Sequence, residues 1–241
     1  MKVGIIGAGN MGSAFARRLS AAGHDVVIAS RDFEDAKQVA GSVGPRVRAV
    51  PQQQLADSVD LVIAATPYAQ QAEALRSSGT LEGKTVVEIS NPLKPDRSGL
   101  TVGLTTSAGE EVAKATKSAK VVKAFNTVFA QVLGDRPASS AKVQVFYAGD
   151  DDGAKKAVRS LIESLGFEPV DAGPLSNARY LEPLGMLNIY LGYAAKMGTD
   201  IAPAVRKVST QTAESQVGHA GHVPQTGTSR PRDQDARPSP G

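Results

Sequence analysis

A chain of 241 residues, 41% hydrophobic and 21% charged, has the size and balance of one large globular domain, or of one domain with a small appendage. Its formal net charge of +3 is spread along the chain and offers no concentrated basic face for nucleic acid. The lack of any cysteine excludes disulfides, zinc–thiolate sites and thiol nucleophiles.

The first apolar run, Val3 to Ile6, is short and β-branched, as suits a strand buried on both faces. A glycine loop follows, and Ser13 to Ala22 reads as a helix with Ala14, Phe15, Leu19 and Ala22 towards a sheet. Gly23 stops it, His24 falls in a turn, and Val26-Val27-Ile28 make a second strand. A helix near Phe33 to Ala40 comes next, then a weak strand at Val47 to Val50 and a strong one at Leu61 to Ala65. The strand Thr85 to Ile89 ends at Asn91-Pro92, and a helix near Ala108 to Ala115 precedes strands Lys120 to Ala124 and Val143 to Tyr147. Asp151 and Asp152 read as the N-cap and first-turn acid of a helix reaching Leu165. Phe167 to Val170 reads as a late strand.

Leu175 to Met197 reads as one long helix, interrupted or kinked at Pro183. Leu184, Leu187, Ile189, Tyr190, Leu191 and Tyr193 leave it almost no polar face. Such a helix calls for cover on several sides, between domains or across a dimer. From about Ala213 the pattern dissolves into Gly, Pro, Ser, Thr and mixed charge, the composition of a disordered tail. His219 and His222 lie there in the run HAGH, open to a metal contact or, more simply, to solvent. With His24 the only other histidine, neither a Ser-His-Asp triad nor a histidine–carboxylate metal cluster is expected. No apolar run reaches bilayer length, and Met1-Lys2 leads into a strand without a signal-peptide core. A cytoplasmic protein with no membrane or nucleic-acid partner is the expectation.

Strands alternating with helices imply an α/β fold, a Rossmann-type doubly wound and mostly parallel sheet with a small C-terminal helical part. The division expected is 1–170 as the sheet-bearing domain, 171–203 as a C-terminal helical part, and 204–241 as tail.

Gly7-Ala8-Gly9-Asn10-Met11-Gly12 is a full G-x-G-x-x-G between a buried strand and a helix. The first glycine permits the turn, the second lets backbone amides approach a pyrophosphate, and the third allows close helix–sheet packing. About 18 residues beyond Gly12, where an NAD site carries a carboxylate for the ribose, stand Ser30 and Arg31. A hydroxyl and a guanidinium there suit a 2′-phosphate, so NADP(H) is the expected cofactor. Asp32 is more simply a helix N-cap. Lys37 is either added positive charge or an ordinary surface lysine. Thr66-Pro67 and Ser90-Asn91-Pro92 follow strands at their carboxyl ends, where open α/β sheets bind ligands. Asn126, after the strand ending at Ala124, either orients a carboxamide or an acceptor ring or caps the next helix. No side chain stands out as a general acid or base. Hydride transfer between two bound heterocycles needs chiefly proximity and orientation.

The chain resembles the NADPH-dependent coenzyme F420 reductases, also called F420-dependent NADP oxidoreductases, over Met1 to about Ile201. The most specific stretches are ASR (Ala29 to Arg31), KVVKAFNTVFA (Lys120 to Ala130) and DAGPLSNARYLEPLGMLNIYLGY (Asp171 to Tyr193). The resemblance implies that 1–170 is a Rossmann domain for NADP and that 171–203 closes over its cleft. It also implies a deazaflavin F420 laid against the nicotinamide as co-substrate, hydride transfer between them, and a homodimer. Gly7, Ala8, Gly9, Asn10 and Met11 would hold the pyrophosphate, Ser30 and Arg31 the 2′-phosphate, and Thr66 and Pro67 would lie along the cofactor. Two positions depart from the pattern. Ala8 replaces a hydroxyl-bearing residue, worth about 1 kcal/mol as a lost hydrogen bond, and Asn126 stands where an F420-binding member has a histidine. Two alternatives accompany this reading: NADPH reduction of another acceptor (imine, quinone, flavin or ferric chelate), and a non-enzymatic NADP-binding module. The run IGAGNMGSA is also typical of pyrroline-5-carboxylate reductases, which have a much larger helical C-terminal domain.

Overall fold

The computed structural model describes residues 1–116, 119–134 and 142–208. Residues 1–205 form one compact unit, organised on an eight-stranded sheet of order β3-β2-β1-β4-β5-β6-β7-β8. The strands are β1 (Lys2–Ile6), β2 (Asp25–Ala29), β3 (Val47–Ala49), β4 (Leu61–Ala64), β5 (Thr85–Glu88), β6 (Lys120–Ala124), β7 (Gln144–Gly149) and β8 (Glu168–Asp171). All neighbours pair in parallel except β6 and β7. The mostly parallel, doubly wound sheet expected from the alternation is present. The order reverses direction between β1 and β4, and that reversal opens a crevice at the strands' carboxyl ends.

The helices are α1 (Asn10–Ala21), α2 (Phe33–Val43), α3 (Tyr68–Arg76), α4 (Ala108–Ala115), α5 (Ala130–Gly134), α6 (Asp152–Ser164) and α7 (Ala178–Ile189). One apolar layer joins Ala14, Phe15 and Leu19 of α1 and Val158, Leu161 and Ile162 of α6 to Ile5, Ile28, Ile63 and Val122. The opposite face of the sheet holds Ile6, Val62, Val86, Val121, Leu75 and Val112. Ala22 does not face the sheet as its spacing suggested. It is exposed past the end of α1, and Ala16 takes a core place instead. The two acidic caps are as expected: Asp32 accepts from the Glu34 amide and Asp151 from the Ala154 amide. His24 is buried at 7% exposure, its Nδ1 3.3 Å from the N-terminal ammonium and its Nε2 2.8 Å from Ser164 Oγ.

The segment expected as one long helix, Leu175 to Met197, is three pieces. A 3-10 turn (Leu175–Asn177) leads into α7, and a π-helical turn (Tyr190–Ala194) ends it. α7 continues through Pro183. Among the described residues, cover on several sides is not found. Leu187, Tyr190, Tyr193 and Met197 are each more than half exposed, while Leu181, Glu182, Gly185 and Asn188 face the rest of the unit. No helix among the described residues is long and apolar enough to cross a membrane. His219, His222 and nearly all of the expected tail, 209–241, lie outside the described residues.

Candidate functional site

The crevice begins at the glycine loop. Gly7 has φ +108°, and a Cβ there would stand 2.7 Å from the Ala65 carbonyl oxygen. A Cβ on Gly12 would collide with the Gly7 carbonyl. These two glycines seat the loop between β1 and β4. Gly9, by contrast, faces open space. Gly9 is the N-cap of α1 with no capping side chain and no acid in the first turn. The first backbone bond of the helix is Ser13 N–H to Gly9 O, so the amides of Asn10, Met11 and Gly12 are left as donors at the positive end of the helix dipole. That is the donor set a pyrophosphate needs. Ala8 contributes its backbone, its carbonyl accepting from Ser13 Oγ at 3.2 Å.

Beyond β2, Ser30 Oγ donates to Asp32 O at 2.8 Å, which fixes the turn that presents Arg31. Arg31 is exposed and makes no ion pair among the described residues. Lys37 is occupied by Glu34 at 2.7 Å and lies over the Phe33 ring.

The other side of the crevice is closed and dense. After β4, the fully buried Gln71 of α3 donates to Ala64 O and Thr66 O (3.0 and 3.3 Å) and so fixes the Thr66-Pro67 turn. After β5, Asn91 Nδ2 donates to Asn126 O at 2.7 Å. Asn126 Nδ2 donates in turn to Asn91 Oδ1 (3.0 Å) and to Leu181 O of α7 (2.7 Å). Asn126 therefore ties β6 to α7 and caps no helix. α7 comes this close because residue 185 is glycine: a Cβ there would stand 2.5 Å from Asn91 Oδ1 and 2.8 Å from Asn126 Nδ2. Phe125 turns the chain at φ +59°, a strained value for a bulky residue. Its buried ring, edge-on to Phe15 and Phe167, holds it there. Thr66 Oγ1, Ser90 Oγ, Asn126 Oδ1 and Thr127 Oγ1 are buried with no protein partner. Unpaired buried polar atoms are rare in native structures, and here four follow β4, β5 and β6.

Beneath them lies a charge cluster to which the sequence reading gave no role. Lys123 is completely buried, and its ammonium donates to Glu88 Oε2, to Ser90 O and to Glu182 Oε1, the last at 2.8 Å. Glu88 and Lys123 are register partners across β5 and β6. Glu182, from α7, also accepts from the amides of Ala108 (3.0 Å) and Gly109 (3.2 Å) at the start of α4. Burial pushes the Glu182 carboxyl up from its ordinary value, against the pull of Lys123. A signal for the cluster existed: Glu88 and Lys123 each interrupt a run of valines in a strand buried on both faces. Nearby, Tyr68 donates to Glu111 at 3.2 Å, and burial followed by the Glu111 charge pushes its phenol up to about 12.

The family model for coenzyme F420-dependent NADP oxidoreductases matches residues 2–92, the segment from β1 through Pro92. The chain is also 30% identical to a provisionally assigned F420-dependent NADP reductase of Arthrobacter sp. FB24 of known structure, covering 86% of this chain and all of that one with a TM-score of 0.79. The chain belongs to the coenzyme F420-dependent NADP oxidoreductase family. Within reach of this family lie the F420-dependent NADP reductase of Methanothermobacter marburgensis, 28% identical over 79% of this chain and 92% of the other, and the metalloreductase STEAP3 of Rattus norvegicus, 31% identical over 77% of this chain. The chain spans 37% of the length of the STEAP relatives it matches. Family membership agrees with a crevice whose open end is lined by backbone donors and whose closed end is lined by neutral amides and hydroxyls.

Proposed function

We propose that the chain binds NADP(H) and exchanges a hydride with the deazaflavin coenzyme F420. The observation that carries this reading is the pairing of an open anion cradle with a closed end in which Lys123, Glu88, Glu182 and Tyr68 are all engaged with one another or with Glu111. Gly7, Ala8, Gly9, Asn10, Met11 and Gly12 form the pyrophosphate cradle, with three amide donors at the helix terminus. Ser30 and Arg31 take the 2′-phosphate, Arg31 through two parallel donors. Thr66 and Pro67 wall the cofactor, and Asn91 and Asn126 set the nicotinamide end. The chemistry supplied by the bound pair is hydride exchange between nicotinamide C4 and deazaflavin C5.

Such a transfer asks the protein for orientation and dryness rather than for a proton. Lys123, Glu88 and Glu182 hold one another, and Tyr68 stays protonated beside Glu111. We assign residues 171–203 as the helical part that closes the cleft. We further assign the exposed stripe of Leu187, Tyr190, Tyr193 and Met197 as the face by which two copies associate.

The test is direct: purified protein mixed with NADPH and F420 bleaches the deazaflavin absorbance. Tight NADPH binding without turnover of F420 would exclude this acceptor. One specific observation favours a second reading, a ferric chelate as acceptor: the chain is 31% identical over 77% of its length to a metalloreductase. A panel of ferric chelate, quinone, imine and free flavin with NADPH separates the two, and turnover of F420 alone removes the second.

A further inference from the structure

An ammonium has three donors and no acceptor, and Lys123 spends all three inside the protein. One goes to the side chain of its strand neighbour, Glu88, one to the backbone of Ser90, and one to Glu182 of α7. Ser90 is gripped twice, because its own amide donates to Glu88 Oε1 at 2.7 Å. Both backbone groups of the residue leading into Asn91 are therefore fixed by two members of the cluster. The third member fixes α7. Glu182 follows Leu181, whose carbonyl receives Asn126 Nδ2, so consecutive residues of α7 dock on the same patch. Glu182 reaches the start of α4 as well.

Stability alone is a weak reason for such an arrangement. Burying two carboxylates and an ammonium costs desolvation that their attraction only partly returns, and well-packed apolar residues often serve as well. The cluster's distinctive product is geometry. It fixes Ser90-Asn91 relative to Asn126 and α7, where Ser90 Oγ, Asn126 Oδ1 and Thr127 Oγ1 are buried without a partner. In a doubly wound sheet that binds a dinucleotide across its reversal point, the strands beyond the reversal carry the second nucleotide half. Here those are β4, β5 and β6.

We propose that Lys123, Glu88 and Glu182 are positioning residues for the nicotinamide half of NADP(H), holding Ser90, Asn91 and Asn126 in the arrangement that receives it. The proposal rests on the NADP(H) reading above and makes no use of the acceptor. It separates the two halves of the ligand. Loss of the cluster weakens contacts to the nicotinamide half and leaves those to the phosphoadenosine half alone.

The experiment measures dissociation constants for NADPH and for adenosine 2′,5′-bisphosphate, which lacks the nicotinamide half. The proteins are wild type, Lys123→Met, Glu182→Gln and the fully apolar Glu88→Leu/Lys123→Met/Glu182→Leu, each with its melting temperature. The expected result is NADPH binding weakened on the order of tenfold, the value of one well-oriented hydrogen bond, with the bisphosphate affinity unchanged. The triple variant guards against a single variant that fails to fold, since it leaves no charge buried alone. Arg179→Met, which breaks the peripheral α7–α4 pair with Glu110 (2.6 Å), is expected to alter neither affinity. Equal loss for both ligands, or no loss for either, in a cluster variant melting as the wild type does would overturn the proposal. A wild type that binds neither ligand would instead overturn the NADP(H) reading, and this proposal with it.

Discussion

On the β1–β2 side of the crevice, the groups proposed to hold the ligand are backbone amides of one helical turn and an exposed arginine, close in sequence and none engaged with a distant side chain. On the β5–β6 side, the charged groups and the amide donors are engaged across long stretches of chain: Asn91 with Asn126, Asn126 with Leu181, and Lys123 with Glu88 and Glu182. The first side is made ready for a ligand by leaving donors unsatisfied at a surface, where water serves until an anion arrives. The second is made ready by fixing side chains against each other in a low-dielectric interior, where a misplaced partner costs more. Binding strength on the first side accordingly resides in a few charges, and alignment on the second in many shared contacts.

Four substitutions probe that contrast, in decreasing order of effect. Gly12→Val places a side chain against the Gly7 carbonyl and is expected to cost at least about 3 kcal/mol. Thermal melting and NADPH titration should show both stability and binding lost; a variant that melts and binds as the wild type does would mean that loop and helix are not in contact as described. Arg31→Ala removes the charge offered to the 2′-phosphate, worth about 2 kcal/mol, and is expected to weaken NADPH binding about thirtyfold while leaving NADH binding nearly as it was. Equal wild-type affinity for the two nucleotides would end the NADP assignment.

Gly185→Ala drives a methyl into Asn91 and Asn126, with a cost of about 1–2 kcal/mol. Hydride transfer should slow more than adenosine 2′,5′-bisphosphate binding weakens, and stopped-flow rates set beside affinities check this. The smallest effect is at His24, remote from the crevice. Burial first, and the N-terminal ammonium second, hold its pKa below the ordinary 6.5. The unfolded chain therefore takes up this proton before the folded one does. Stability contributed by the neutral ring is present above pH 6.5 and lost as pH falls towards the folded value. Melting curves of His24→Gln should show a shallower acid limb than wild type below that pH.

The open side was legible in the sequence because its chemistry is local. Gly7 to Gly12 sit between a β-branched strand and an amphipathic helix, and Ser30-Arg31 closes the next strand, so spacing alone locates them. Asp32 and Asp151 were readable as caps for the same reason. Asn126 was singled out, yet its role between the strand ends and α7 was not. Its partners lie 35 and 55 residues away. Glu88 and Lys123 were visible as charges in apolar strands and remained unassigned, since nothing local says that β5 and β6 are register neighbours or that Glu182 descends on both.

The sequence by itself determined the alternation of elements, the glycine turn, the helix caps and the Ser30-Arg31 pair proposed for a 2′-phosphate. Each depends on dihedral preference or on contacts within a few residues. Tertiary structure decided the burial of Lys123, the approach of α7 over Gly185, the orientation of Asn126 and the exposure of the Leu187–Tyr193 stripe. Each depends on which strands lie side by side and on what a segment finds to pack against. Local conformational energies set the first group, while sheet order and close packing between distant segments set the second.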